Sequence, residues 1–325
     1  MDNRMDIIIT HESALEYWRL HSSVKINDAA RLRRKNPPVS LPGISEIRDK
    51  APSGLTYPLN LMVGEANAKR KSKVVNSHVY TGPTPGGSFI GIGDGVAVCA
   101  PQFCFFQMAG ELPLIKLIEL GLELCGTYSK PPIDEYDPGA EGPDKTVYNH
   151  LPLTNVQALK NYTARMEGVK GHKNAVKALR YIADGSGSPM ETTLFMLLTV
   201  PYKHGGYGLP APELNKRIEI TTTYNNKPRK TYYVCDLFWE QAGFAIEYDS
   251  DFYHASTDRI ARDAKRRFDL AAHGIIAIAV TSKQIRNTLE LENLAKLVAK
   301  KSGRQLRYKT PQFQEKQREL RNLLK

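Results

Sequence analysis

The sequence predicts an α/β protein: a mixed sheet flanked by helices in the carboxy-terminal part, preceded by a smaller α+β domain. Three observations predict it. Between Pro189 and Val280 the apolar pattern runs helix, three strands, helix, strand. The last of these, Ile275–Val280, is an unbroken apolar run of the kind a buried parallel strand shows. Before residue 150, short apolar segments broken by Gly and Pro lead into two apolar helices.

In chain order, Glu12–His21 has helical spacing, whereas residues 34–54 (Arg34-Lys-Asn-Pro-Pro, Ala51-Pro-Ser-Gly) break any helical period. Asn76–Val98 reads as strands and turns, with Asp94-Gly95 a hairpin signal. Its Gly86–Gly95 stretch has neither the Lys-Ser/Thr ending nor the following helix of a phosphate loop. Pro101–Ala109 and Glu111–Leu124 are apolar helices, and the Pro/Gly/acidic run 130–145 has the composition of an exposed loop. The first domain is therefore expected over 1–150, a second over 151–305 with its core at 188–285, and a basic helix over 306–325.

Leu159–Met166 and Ala175–Ala183 are spaced as helices. Ser188-Pro189 supplies an N-cap followed by a proline at the first helical position, opening a helix to about Val200. Arg217–Thr223, Thr231–Phe238 and Phe244–Asp249 read as strands, with Asn225-Asn226 turning the first into the second. A basic helix over Thr257–His273 ends at Gly274.

Composition narrows the function. A hydrophobic fraction of 41% and a charged fraction of 24% belong to a soluble globular chain, and no apolar run has the length of a membrane span. Ile7-Ile8-Ile9 is too short for a signal-peptide core, and the four cysteines lack a second pair at zinc-site spacing. The expectation is a reduced, cytoplasmic protein without a membrane partner. The net charge is +11, and residues 300–325 carry nine Lys/Arg against Glu315 and Glu319. Such asymmetry fits a nucleic-acid partner, with a solvated basic helix as the plain alternative.

Three acids stand where acids are costly. Glu191 shares a helix face with Leu194, Phe195 and Leu198. Asp236 interrupts the strand Tyr232-Tyr-Val-Cys-Asp236-Leu-Phe-Trp239, and eleven residues later Glu247 interrupts the next. Carboxylates converging from adjacent strands suit Mg²⁺ or Mn²⁺, which can activate water for phosphodiester hydrolysis. The alternative is buried ion pairing of Asp236 and Glu247 with Arg217, Lys230 or Arg266, and a dipole role for Glu191 at its helix N-terminus.

The ordered set Asp236-Leu-Phe, Ile246-Glu-Tyr-Asp249-Ser-Asp-Phe-Tyr-His254, Arg262-Asp263, Arg266, Leu270-Ala-Ala-His-Gly274 and Ala279-Val280-Thr281 resembles the PD-(D/E)xK restriction-endonuclease-like superfamily. Within it, the set is closest to the branch similar to very-short-patch-repair endonucleases, over about residues 188–285. The resemblance implies a restriction-endonuclease-like mixed sheet and Mg²⁺- or Mn²⁺-dependent cleavage of DNA, in defence or repair. It implies metal ligation by Asp236, Glu247 and Glu191, with Asp249 and His254 at accessory positions. The lysine of the commoner third motif is replaced by Asp249, so Lys265 or Arg266 on the next helix is expected to supply the missing cation. The glycine frequent after the acidic pair is Ser250. Arg262, Arg266, Arg267, Lys300, Lys301 and Arg304 are the expected phosphate contacts. A non-catalytic DNA-binding regulator that retains the nuclease fold is the alternative. In the first domain, His11-Glu-Ser-Ala-Leu-Glu-Tyr-Trp18-Arg19, Val98-Cys-Ala-Pro101 and Phe106-Gln-Met-Ala109 are similar to segments of abortive-infection (AbiEi-type) antitoxins and regulators. That similarity implies DNA binding or a protein partner, against a plain scaffold in which Trp18 is core.

Overall fold

The computed structural model describes residues 6–22, 31–32, 36–130, 146–224, 227–249, 257–306 and 311–324. It is a mixed α/β structure in two compact units, Met1–Arg180 and Tyr181–Lys325. The division falls at residue 180 and not near 150.

The first unit contains β1 (Ile7–Ile9), α1 (His11–Leu20), α2 (Ile44–Lys50), β2 (Leu59–Val63), β3 (Val75–Val79), β4 (Phe89–Gly93), β5 (Val96–Cys99), α3 (Pro101–Met108), α4 (Leu114–Leu124), β6 (Tyr128–Ser129), β7 (Val147–Tyr148), α5 (Val156–Ala164) and α6 (His172–Ala178). The three isoleucines of β1 are fully buried because β1 is the central strand of the order β3-β2-β1-β5-β4. It runs parallel to β5 (Ile8 opposite Ala97) and antiparallel to β2 (Ile9 opposite Leu61). Asp94 and Gly95, both at positive φ, turn β4 into β5 as a hairpin requires. Every residue of α3 is buried, and the Trp18 indole of α1 donates to Cys99 O at 2.8 Å, so Trp18 is core. Arg19 clamps the buried Glu123 of α4 with two bonds of 2.8 and 2.7 Å.

Helices α5 and α6 belong to this unit because Leu159 and Tyr162 are buried as α5 packs on α3, and α6 packs on α4. The expected loop lies, from residue 131 to 145, outside the described residues, and the division between the units comes after it. Helix α2 lies in the stretch read as breaking helical period. With seven residues and one fully buried side chain, Ile47, it is too short to show a period.

The second unit contains α7 (Pro189–Thr199), β8 (Glu213–Tyr224), β9 (Lys227–Trp239), β10 (Phe244–Tyr248), α8 (Thr257–Ala272), β11 (Ile276–Val280), α9 (Ser282–Arg286), α10 (Thr288–Lys301) and α11 (Pro311–Leu323). Its sheet has the order β11-β10-β9-β8. The first three strands in sequence form an antiparallel meander, and α8 carries the chain across to β11, parallel to β10. The expected Asn225-Asn226 turn lies outside the described residues. Strand β11 is parallel as expected but not buried: Ile276 is 47% exposed because β11 is the sheet's edge. No helix among the described residues is long and apolar enough to cross a membrane.

Helix α11 is more than a charged tail. Phe313, Gln317, Leu320 and Leu324 share one face and are all buried, with the Phe313 ring centroid 5.5 Å from that of Tyr207. Arg321 is turned inward, donating to Ile285 O and Arg286 O at 3.2 and 2.7 Å. Residues 311–324 are therefore joined to this unit by a core-forming helix. Phe313→Ala is expected to cost about 3–5 kcal/mol, the range for an emptied aromatic site. Chemical denaturation of the full chain checks this, and an unchanged midpoint would contradict the packing of α11.

Candidate active site

Glu191 is placed by the start of α7. Ser188 caps the helix, its Oγ accepting from Glu191 N at 3.1 Å, and Pro189 occupies the first helical position. The Glu191 carboxylate folds back, and its Oε2 accepts from Gly187 N at 2.8 Å and Asn215 Nδ2 at 2.6 Å. Gly187 permits this: a Cβ there would meet the two carboxylate oxygens at 3.1 and 3.2 Å. Asn215, on β8, also donates to Gly185 O, tying the strand to the approach to α7.

Asp236 lies on β9 beside β10, and its Oδ2 accepts from Tyr248 N at 2.7 Å. Continuing the register in which Ile246 faces Leu237 brings Glu247 to the partner position of Asp236. Arg266 of α8 reaches this pair. Its Nη2 is 2.5 Å from Glu247 Oε1 and also donates to Val234 O. The guanidinium also stands over the Tyr233 ring, 5.8 Å from its centroid.

All three acids hold their protons more tightly than ordinary carboxyls. Burial raises the pKa of Glu191, and the charge of Asp236 raises it further against the Gly187 and Asn215 bonds. Burial raises Asp236, opposed by the Tyr248 N–H and Arg266. Burial raises Glu247 as well; Arg266 opposes it and Asp236 adds to it. Asp236 is thus the electrostatic centre of the three. The buried Oε1 of Glu247 accepts no hydrogen bond, meeting Arg266 only as an ion pair. Two carboxylates brought together from adjacent strands are a donor set that fits a hard divalent cation, which would take the place of Arg266 at Glu247 Oε1. The three carboxylates do not close on one another as tightly as a trio with each ligand atom within 4.8 Å of the others; among the described residues only His11, His78 and Glu111 do that. Mg²⁺ needs no closer cage, since it takes one or two carboxylates and completes its shell with water and phosphate.

The other expected site residues sort clearly. Lys265 is turned to another acid: its Nζ pairs with Asp269 at 2.6 Å, and Asp269 also accepts from Tyr233 Oη. Arg266 is the cation that meets Glu247, and that ion pair engages the side chain expected to contact phosphate. Asp249, just past β10, is half-buried and donates through its backbone N to Val280 O at 3.0 Å. His254 lies outside the described residues. Arg262 and Arg267 are exposed on α8, and the Arg267 charge reaches Glu247 and lowers its pKa. Lys300, Lys301 and Arg304 are exposed at the end of α10, and Lys301 and Arg304 line a cleft of about 510 Å³ with Trp239 and Glu240. Arg217 and Lys230 are engaged elsewhere, over the Tyr232 ring and with Glu219 respectively. Comparisons with protein-family models, curated proteins and solved structures find no match.

Proposed function

We propose that the second unit is a restriction-endonuclease-like domain that hydrolyses phosphodiester bonds in DNA with Mg²⁺ or Mn²⁺. The observation that carries this reading is the position of Asp236: on the middle strand of the meander, beside Glu247 and raising the pKa of both Glu247 and Glu191. The element order supports it, with a helix, an antiparallel meander, and a helix crossing to a parallel strand. Asp236 and Glu247 would hold the cation, which would activate water and neutralise charge on the phosphate. Glu191, fixed by Gly187 and Asn215, would orient the water. Arg266 would take the role of the absent motif lysine. Arg262, Arg267, Lys300, Lys301 and Arg304 would meet the DNA backbone.

The ion pair between Glu247 and Arg266 favours a second reading, a DNA-binding regulator in which that pair is closed for good. Nicking of supercoiled plasmid, with RNA and single-stranded DNA in parallel, separates the two. The parent is expected to nick with Mn²⁺, and Asp236→Ala and Glu247→Ala to lose at least about 100-fold in rate, the upper range of second-shell losses. Nucleic-acid binding should persist in both variants. A parent that binds DNA but cleaves no substrate would leave the regulator.

Salt dependence reads the basic surface. Since deleting α11 would also remove buried apolar side chains, charge-removing variants are the cleaner probe. Lys300→Gln and Lys301→Gln are each expected to flatten the slope of log affinity against log salt by about 0.9 on duplex DNA. An unchanged slope would remove these lysines from the interface.

A further inference from the structure

In the first unit, the structure assigns a second cation site, for Zn²⁺ or a similar transition metal, to His11, His78 and Glu111. One ligand atom from each residue lies within 4.8 Å of the other two. His11 Nε2 and Glu111 Oε1 are 3.4 Å apart, long for a hydrogen bond. Two ligands at about 2.0–2.1 Å from a tetrahedral zinc stand about 3.4 Å apart, so this pair already spans one edge of such a site. The His11 and His78 rings are stacked with centroids 3.9 Å apart and planes 19° from parallel, so binding would turn one ring until both nitrogens face the ion.

The surroundings are those of ligating imidazoles. The second ring nitrogen of a metal-bound histidine is normally tied to a polar group that fixes the ring. His11 Nδ1 lies 3.1 Å from the hydroxyl of buried Thr10, which Gln107 Nε2 in turn holds at 2.7 Å. His78 Nε2 lies 2.8 Å from Asn60 Oδ1, which also accepts from Asn76 Nδ2 at 3.0 Å. Asn76 Nδ2 also lies 3.3 Å from His78 Nε2; in the tautomer that donates from Nε2 to Asn60 Oδ1, His78 Nδ1 keeps its lone pair for a metal.

His11 follows the central strand β1 with a φ of +49°, where glycine would sit without strain. Here a histidine holds that conformation at the first residue of α1, where it turns the chain from β1 into the helix. Glu111 is 37% exposed at its side chain, so the site opens to solvent. Glu12 and Lys170 bring charges of opposite sign to it, and Lys170 lines an adjoining cleft of about 380 Å³ with Gly110 and Gly171. Two nitrogen donors and one carboxylate select zinc-like ions over Mg²⁺, which prefers oxygen throughout. Three protein ligands also leave a fourth position open for water or a substrate oxygen.

Titration calorimetry of the full-length protein with Zn²⁺ tests this, with Co²⁺ as a spectroscopic stand-in. One Zn²⁺ per chain is expected, with the visible bands of tetrahedral Co²⁺. His78→Ala and Glu111→Gln should each weaken Zn²⁺ by more than about 100-fold, beyond typical second-shell losses. Glu111→Gln keeps the size of a partly exposed side chain, and circular dichroism of both variants verifies folding. Asp236→Asn should bind this Zn²⁺ as the parent does, which separates this site from the candidate nuclease site. No Zn²⁺ binding by the parent, or equal binding by parent and both variants, would overturn the assignment.

Discussion

Asp236→Asn is expected to make the metal-free protein more stable at neutral pH, not less. Asparagine keeps an oxygen to accept from Tyr248 N and removes a buried charge that raises the pKa of two other acids. The sign follows from linkage. The Asp236 pKa is raised on folding, so the unfolded chain ionises first and the folded state loses stability as pH climbs from about 4 through the folded pKa. The introduced carboxamide does not titrate. The melting temperatures of parent and variant should therefore meet below about pH 4 and separate as pH rises, by roughly 3 °C for each kcal/mol of relieved repulsion. Added Mn²⁺ should reverse the order, because only the parent gains binding energy by mass action. A variant less stable than the parent at pH 7 would mean that the Asp236 charge is already compensated within the fold.

The second large effect is expected at Arg266. Arg266→Met leaves Glu247 in a half-buried place without its cation, at a cost of about 2 kcal/mol at pH 7. That is less than the ~3–5 kcal/mol of a fully buried pair, since the two side chains keep 27% and 17% exposure. Burial raises the Glu247 pKa and Arg266 is the chief influence opposing it, so removing the arginine lifts that pKa further. The cost should then shrink as pH falls through the carboxyl range. Arg266→Met/Glu247→Gln should recover most of the loss. Mn²⁺ should stabilise Arg266→Met by more than it stabilises the parent, because the cation then has no arginine to displace. Equal Mn²⁺ shifts in both proteins would place the metal away from Glu247.

The fold of the second unit was legible because its elements are long and strongly patterned. Ser188-Pro189 starts a helix by local chemistry alone, and the acids of β9 and β10 stand out against apolar neighbours. What depended on tertiary packing was not legible. The apolar run of β11 looks the same at an edge as in a sheet's middle, so its exposure could not be read. Lys265 and Arg266 are neighbours on one helix, about 100° apart around its axis, and only the docking of α8 decides which reaches Glu247. The unit boundary lies later than the polar loop suggests. Loop composition signals exposure, while the burial of Leu159 and Tyr162 that holds α5 to the first unit leaves no mark in it. His11, His78 and Glu111 come from three distant segments; the sole local hint is a histidine opening the helix just after a buried strand.

The central claim is that Asp236 and Glu247 bind a divalent cation. It is tested most directly by Mn²⁺ binding to the full-length protein, followed by electron paramagnetic resonance in parallel with Asp236→Asn and Glu247→Gln. The parent should take up Mn²⁺, each variant should lose that uptake, and His78→Ala should retain it. Equal Mn²⁺ uptake by the parent and by both carboxamide variants, or none by the parent, would contradict the claim.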